Sequence, residues 1–346
     1  MATWMVRAGR TAVNEDFVLE NGYAVVGFGE LGDLYGVTSK SEVRDRLVAA
    51  GHSSPNAVRT HAGQIWTFIG KIKIGDTIAI PLRSSAAIAL GTVTGDYEYA
   101  PDAPEGVRHR RSVQWVREAV PRSAFGQDLL YSLGAFLTVC QIQRNDADRR
   151  IRAIMDGRPD PGMGDRLARS TAVADDTALD SDDAQALDLD RYGRDRIASL
   201  ISRRFAGHEL TALVNAILEA QGYHTIVSPA GPDGGVDILA GAAPLGFGEP
   251  RICVQVKTGE ADAPMLRDLQ GTMHAHNATH GLFVAWGGFK RTVRDEERRT
   301  FFQVRLWDSD DLIAELIDVY DALPAAIRDA LPLTQVWTVV EDEPEA

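Results

Sequence analysis

The stretch 156–190 constrains this chain more than any other. It holds ten Asp and three Arg, a net charge of −7, among Ala, Gly and Pro with no sustained apolar period. Such a segment cannot bury enough apolar surface to offset the entropy lost on ordering it. One continuous core across the chain is therefore excluded. The segment is expected to be a flexible acidic linker between two domains, 1–155 and 191–335, with an acidic tail at 336–346. A length of 346 residues allows two domains, and an apolar fraction of 45% supplies two ordinary cores.

The formal net charge of −13 argues at first against a polyanionic ligand. Its distribution removes the objection. The linker carries −7 and the tail 341–345 carries −4, so the rest holds −13 + 7 + 4 = −2. Local basic patches then matter more than the total. No apolar run is long enough for a transmembrane helix. The start lacks the basic-then-apolar pattern of a signal peptide. Two cysteines, Cys140 and Cys253, are too few for a disulfide framework or a zinc site. A soluble cytoplasmic protein is expected.

The second domain reads as alternating helices and strands. Leu210, Leu213, Val214, Ile217 and Leu218 recur at helical spacing, which predicts a helix over 208–220. Strands follow at 223–228, 236–239 and 251–258, with a dense turn at 228–235 and a loop at 241–250. Pro264 opens a helix to about 278. A strand at 281–286, a helix at 290–301, a strand at 304–307 and a helix at 310–320 complete the order α-β-β-β-α-β-α-β-α. This is an α/β pattern, a sheet flanked by helices.

Along Arg251-Ile-Cys-Val-Gln-Val-Lys257 side chains alternate with period two. Ile252, Val254 and Val256 face one side, so Gln255 and Lys257 share the other. Asp237 opens a neighbouring strand, and two adjacent strands bring the three polar groups to one edge. Phosphodiester hydrolysis needs an activated water and a means of holding charge on the phosphate. Oxygen ligands for Mg²⁺ beside a Lys supply both. Asp237 is the hard anionic ligand, Gln255 offers a weaker amide oxygen, and the Val256 carbonyl is a further ligand candidate. Lys257 orients the water or stabilises the charge that develops on phosphorus. Glu209, in the first turn of the helix 208–220, could complete the metal shell or hold a metal-bound water.

Gly234-Gly-Val-Asp-Ile238 followed by Val254-Gln-Val-Lys257 resembles the catalytic domain of Mrr-type restriction endonucleases, over about 195–320. That family has a PD-(D/E)xK fold in which Gln replaces the usual acid of the second motif. The resemblance implies a mixed sheet flanked by helices and DNA cleavage with Mg²⁺, for which Mn²⁺ can substitute. It implies Asp237, Gln255 and Lys257 as active-site residues, with a helix carboxylate at Glu209. Gln270, on the helix after the Lys, is a further residue that could face the site. Lys290, Arg291, Arg294 and Arg298 form a candidate phosphate-contact stripe, interrupted by Asp295, Glu296 and Glu297. His274, His276 and His280 do not match a zinc spacing and are taken as surface or core residues.

The first domain has strand-like segments at 4–7, 23–28, 76–82, 87–99 and 112–118 and helices at 40–50 and 55–69. The pattern suggests a small twisted β-barrel with peripheral helices. Trp4, Gly75-Asp76, the run Gly91–Tyr99 and Arg108-His-Arg-Arg111 leading to Trp115 resemble the EVE branch of the PUA-like superfamily. That resemblance implies a reader of modified DNA bases. A flipped base needs an aromatic pocket, for which Trp4, Phe28, Trp66, Tyr97, Tyr99 and Trp115 are candidate walls. Arg108, Arg110 and Arg111 are candidate phosphate contacts. Against this, most aromatics of a small barrel are core.

Reader, linker and nuclease together predict a modification-dependent, type IV-like restriction endonuclease acting on double-stranded DNA. Cutting both strands asks for a homodimer or a larger homo-oligomer. Two alternatives stay open: a defence nuclease released by a nucleotide signal or partner, and a DNA-binding module with a dead nuclease fold.

Overall fold

The computed structural model describes residues 1–9, 12–134, 137–162, 188–229 and 235–337. Most of the expected linker (163–187), the tail beyond 337 and residues 230–234 of the expected turn lie outside them. The chain divides into two compact units, with the boundary between Tyr192 and Gly193, within the segment Leu189–Arg204. Among the described residues no helix is long and apolar enough to cross a membrane.

The first unit is built on six strands: β1 (Thr3–Val6), β2 (Tyr23–Val26), β3 (Thr77–Pro81), β4 (Ala87–Tyr99), β5 (His109–Pro121) and β6 (Val139–Gln141). They pair in the order β2-β5-β4-β3-β1-β6, with β1 and β3 parallel and the other pairs antiparallel. Trp4 and Val6 join one core with Ile78, Ile80 and Ala89, whereas Met5 joins a second with Ala79, Ile88 and Leu90. The sheet is thus covered on both faces, which is why β1 and β3 read as unbroken apolar runs. Helix Glu15–Asn21 and Phe68 pack on the first face, and helices Gln127–Leu133 and Ala147–Met155 on the second. A third cluster fills the space between helices Lys40–Ala49 and Pro55–Trp66. Ser39 and Ser54 cap those two helices by accepting from the Glu42 and Ala57 N–H groups.

Several expectations change here. The sheet has two edge strands, β2 and β6, so its pairing is open where a small barrel was expected. The predicted helix 55–69 is α-helical only to Trp66 and then widens into a π turn, Thr67–Lys71. Arg111 explains the widening. Its guanidinium donates to the carbonyls of Phe68 and Ile69, both at 2.7 Å. The first residues of the expected linker also belong to the fold. Asp160 accepts from the buried Arg150 at 2.6 Å and from the Gly126 N–H at 2.7 Å.

The second unit has five strands: β7 (His224–Val227), β8 (Ile238–Ala242), β9 (Gly248–Lys257), β10 (His280–Ala285) and β11 (Val304–Trp307), in the order β11-β10-β9-β8-β7. β9, β10 and β11 are parallel, and β7, β8 and β9 antiparallel, giving the mixed sheet expected. On one face lie Ile238, Val254, Val256, Leu282 and Val284 with helices Leu189–Arg204, His208–Ala220 and Ser309–Asp318. On the other lie Cys253, Phe283, Ala285 and Leu306 with helices Ala263–Ala275 and Arg291–Thr300. Half of the expected loop 241–250 is strand. A short hairpin suffices because the Gly241 and Gly246 backbones almost touch: a Cβ on Gly241 would fall 2.0 Å from the Gly246 carbonyl oxygen.

Candidate active site

β9 positions the site. Its register with β8 pairs Val254 with Ile238, so Asp237 stands opposite Gln255. The Asp237 N–H donates to the Val254 carbonyl at 3.0 Å. Its carboxylate turns back and accepts from the Val256 N–H at 2.7 Å. In a strand the N–H and C=O of one residue point the same way, so the Val256 carbonyl also points toward the β8 side, at the place where β8 ends. Gln255 and Lys257 alternate with Val254 and Val256 and therefore share the face of Cys253. The Lys257 carbonyl accepts from the Trp286 N–H at 2.8 Å, which ties the end of β9 to β10.

The environments of the three differ. Asp237 and Lys257 are half-buried, whereas Gln255 is only 6% exposed. Among the described residues the Gln255 Oε1 has no hydrogen-bond partner. A buried unpaired amide oxygen costs about 1–3 kcal/mol, so a ligand that accepts its lone pairs would relieve that cost. Gly235 carries a positive φ of 86°. A Cβ there would meet Thr272 Oγ1 at 3.6 Å and Gln255 Nε2 at 3.8 Å. Thr272, on helix Ala263–Ala275, is thus the neighbour that sequence reasoning missed, having looked to Gln270 on the same helix. No sequence signal singles out one polar residue of an exposed helix face. Glu209 is exposed on the first turn of helix His208–Ala220, whose apolar residues pack on the other face of the sheet.

Residues 202–316 match the Mrr catalytic-domain family, described as restriction endonuclease. This segment is an Mrr-type restriction endonuclease domain. Residues 4–127 match a different family, a domain of unknown function designated DUF8426. No curated protein matches the chain. Two solved structures show a distant overall likeness. One is "MspJI Restriction Endonuclease in Complex with 27-mer Oligonucleotide", 13% identical, covering 91% of this chain and 75% of that one at a TM-score of 0.32. The other is "DNA modification-dependent restriction endonuclease AspBHI", 12% identical, covering 90% and 79% at 0.33.

A divalent cation is implied for the Mrr-type domain, and the donor set fits a hard one. The Asp237 carboxylate, the orphaned Gln255 Oε1 and the Val256 carbonyl are all oxygens, the ligands Mg²⁺ takes. Among the described residues no three His, Cys, Asp or Glu side chains gather as a metal site. Of these three donors Asp237 would be the anionic ligand, with neutral oxygens and water beside it.

The basic stripe of the Mrr-type domain divides on inspection. Arg294 is a structural residue. It donates to Asp308 Oδ2 at 2.8 Å and lies 5.1 Å over the Phe289 ring. Asp308 is 2% exposed and caps helix Ser309–Asp318, so its charge needs the guanidinium. Burial and the Asp308 charge push the nearby Asp311 carboxyl up to about 6. Lys290 is 3.8 Å from Asp262. Arg291 and Arg298 are exposed on helix Arg291–Thr300. Arg294→Ala is expected to lower unit stability by about 2 kcal/mol, the scale of a charge-assisted hydrogen bond. Arg298→Ala should leave the melting temperature alone and reduce the salt slope of DNA binding by about one. Thermal melts and binding isotherms at several salt concentrations read both.

In the first unit three of the six proposed pocket walls are engaged within the fold. Trp4 is 5% exposed, and its indole N–H donates to Asp76 Oδ2 at 2.9 Å. The Trp115 indole donates to the Val18 carbonyl at 2.9 Å. Trp66 packs on the helical cluster. Arg111 is 2% exposed and spent on backbone carbonyls, so it is not a phosphate contact. The run 108–111 was expected to lead into a strand at 112, but β5 begins at His109. Arg110 pairs with Glu98 and lies 4.4 Å over the Tyr23 ring, and Arg108 donates to the Ala103 carbonyl at 3.1 Å.

Phe28, Tyr97 and Tyr99 do come together, around His109. The His109 Nε2 is 2.9 Å from the Phe28 carbonyl, which can only accept, so Nε2 carries the proton. Burial lowers the His109 pKa and keeps the ring neutral. Its Nδ1 then accepts from the Tyr97 hydroxyl at 2.9 Å, whose oxygen accepts from the Leu34 N–H at 3.1 Å. Burial pushes the Tyr97 phenol up to about 12, so it stays a donor. This relay holds the segment from Phe28, itself at a φ of 70°, to Leu34.

Proposed function

We propose that the chain is a Mg²⁺-dependent DNA endonuclease of the modification-dependent, type IV-like kind. The observation that carries the nuclease part is the meeting of Asp237, the unpartnered Gln255 Oε1 and Lys257 at the end of β9. A divalent ion held by Asp237, Gln255 and the Val256 carbonyl would supply Lewis acidity and a water that ionises more easily. The Lys257 ammonium, on the same face as Gln255, offers a hydrogen-bond donor and a positive charge to the scissile phosphate. Arg291 and Arg298 would bind the flanking backbone. Mn²⁺, with the same preference for oxygen ligands, would substitute.

The reading of the first unit as a modified-base reader rests on the EVE-like sequence features and on the Phe28–Tyr97–Tyr99–His109 group, with Arg108 next to His109 in the chain. Pairing of two chains would serve the two strands of a duplex. The test uses matched plasmids, unmodified, cytosine-methylated or hydroxymethylated, with and without Mg²⁺. Cleavage of modified DNA alone, dependent on Mg²⁺, is the expected result. Equal cleavage of all plasmids would retain the nuclease and remove the reader. Absence of any cleavage with DNA binding intact would favour a dead nuclease fold.

A further inference from the structure

The sheet of the nuclease unit has a second end. Lys257 closes β9 at the carboxy-terminal end of the three parallel strands. At their amino-terminal end a cavity of about 400 Å³ opens between the starts of β9, β10 and β11 and the end of helix His208–Ala220. Ile252, in its wall, is five residues from Lys257 along β9, about 16 Å at the usual strand rise. The cavity is therefore separate from the candidate active site.

Its chemistry is specific. Tyr223, Phe301, Phe302 and Trp307 make it strongly aromatic. Phe302 is 86% exposed and Phe301 48% exposed, and their rings meet edge to face at 5.2 Å. Adjacent aromatic rings left in water mark a surface that something covers. Arg305 stands beside them. Its guanidinium lies 4.1 Å over the Phe301 ring and donates to the Phe301 carbonyl at 2.8 Å. Among the described residues no carboxylate pairs with it, in contrast to Arg294, which Asp308 neutralises. His280 and Gln303 add hydrogen-bonding side chains to the wall. The volume lies in the range of small-ligand sites, about 300–1,000 Å³.

We propose that this cavity binds a nucleotide, with the base against Phe301 and Phe302 and a phosphate on Arg305. Every base has a π face that stacks on an aromatic ring, and an unneutralised guanidinium matches a phosphate. A peptide carboxylate would use the Arg but not the exposed pair of rings. An apolar partner would use the rings but gain nothing from the Arg. The same chemistry is offered by a free mononucleotide and by an unpaired nucleotide of a DNA strand. The site rests on the nuclease reading only in that a bound nucleotide would then sit on a DNA-cutting domain.

Calorimetric titration of the full chain in EDTA tests it, with AMP, GMP, inorganic phosphate and a five-nucleotide single-stranded DNA as probes. Saturable binding of a mononucleotide, at least about tenfold tighter than phosphate, is expected. Phe302→Ala and Arg305→Gln should each weaken it about tenfold. Both side chains are exposed, so the melting temperature should hold. If the oligonucleotide binds with the same dependence on both residues and the mononucleotides do not, the site takes an unpaired base of a strand, and the proposal stands in that form. Binding of neither probe, or binding indifferent to both substitutions, overturns it. Asp237→Asn should leave this binding unchanged, which separates its failure from failure of the nuclease reading.

Discussion

Asp237→Ala is expected to reduce Mg²⁺-dependent cleavage by at least about 10³-fold, the scale on which one preorganised electrostatic group counts at a reaction centre. The structure also gives Asp237 a second task. Its carboxylate accepts the Val256 N–H at 2.7 Å, beyond the point where the β8–β9 ladder stops. Truncation to Ala leaves that donor unpaired, so a cost of about 1–3 kcal/mol in stability should accompany the loss of activity. Asp237→Asn separates the two effects. The amide oxygen can still accept from Val256, so the melting temperature should stay near wild type. The negative charge is gone, so cleavage should still be lost. Cleavage kinetics and thermal melts on both variants decide the matter. An active Asp237→Asn enzyme would remove Asp237 from the candidate site, whatever its stability.

Arg150→Met should destabilise the first unit by about 3–5 kcal/mol, the usual result of removing one partner of a buried ion pair. Arg150 is 1% exposed and donates to Asp128 and Asp160, with its closest contacts at 2.6 Å on each carboxylate. Removal leaves two carboxylates facing each other across the vacated space. Hydrogen bonds from Arg150 and from the Gly126 and Gly162 N–H groups, together with the Arg150 charge, outweigh desolvation and hold the Asp160 carboxyl below its ordinary value. A depressed carboxylate contributes stability that is present above its unfolded pKa, about 4, and is lost as pH falls through its folded pKa. The wild-type unit should therefore lose stability on acidification below about pH 4. Arg150→Met should show a shallower slope there. Chemical denaturation at pH 7 and pH 3 would reveal both, and equal slopes would show that Asp160 carries no such linkage.

Part of this molecule is legible in local pattern. Alternation along 251–257 placed Gln255 and Lys257 on one face, because a strand has a period of two whatever surrounds it. Helical spacing in 208–220 likewise identified its buried side. The order of elements in the second domain followed from such periods, whereas its mixed sheet was what the resemblance to Mrr-type nucleases implied. Pairing between distant segments was less accessible. The parallel contact of β1 with β3 joins residues over seventy positions apart, and β1 has apolar side chains on both faces that announce no partner. The short strand β6 and the helices Gln127–Leu133 and Ala147–Met155 were not anticipated, because short elements draw their stability from the sheet they cover.

Charged residues divide in the same way. Arg108, Arg110 and Arg111 look alike in sequence, yet Arg111 is consumed by the carbonyls of Phe68 and Ile69. Arg294 and Arg298 lie on one helix, yet only Arg294 finds the buried Asp308. Residue type determined which groups could bind a phosphate or a metal. The tertiary structure decided which were already spent inside the protein. A buried charge or N–H must be satisfied by whatever backbone or carboxylate the fold brings within about 3 Å, and that neighbour is set by packing between segments far apart in the chain.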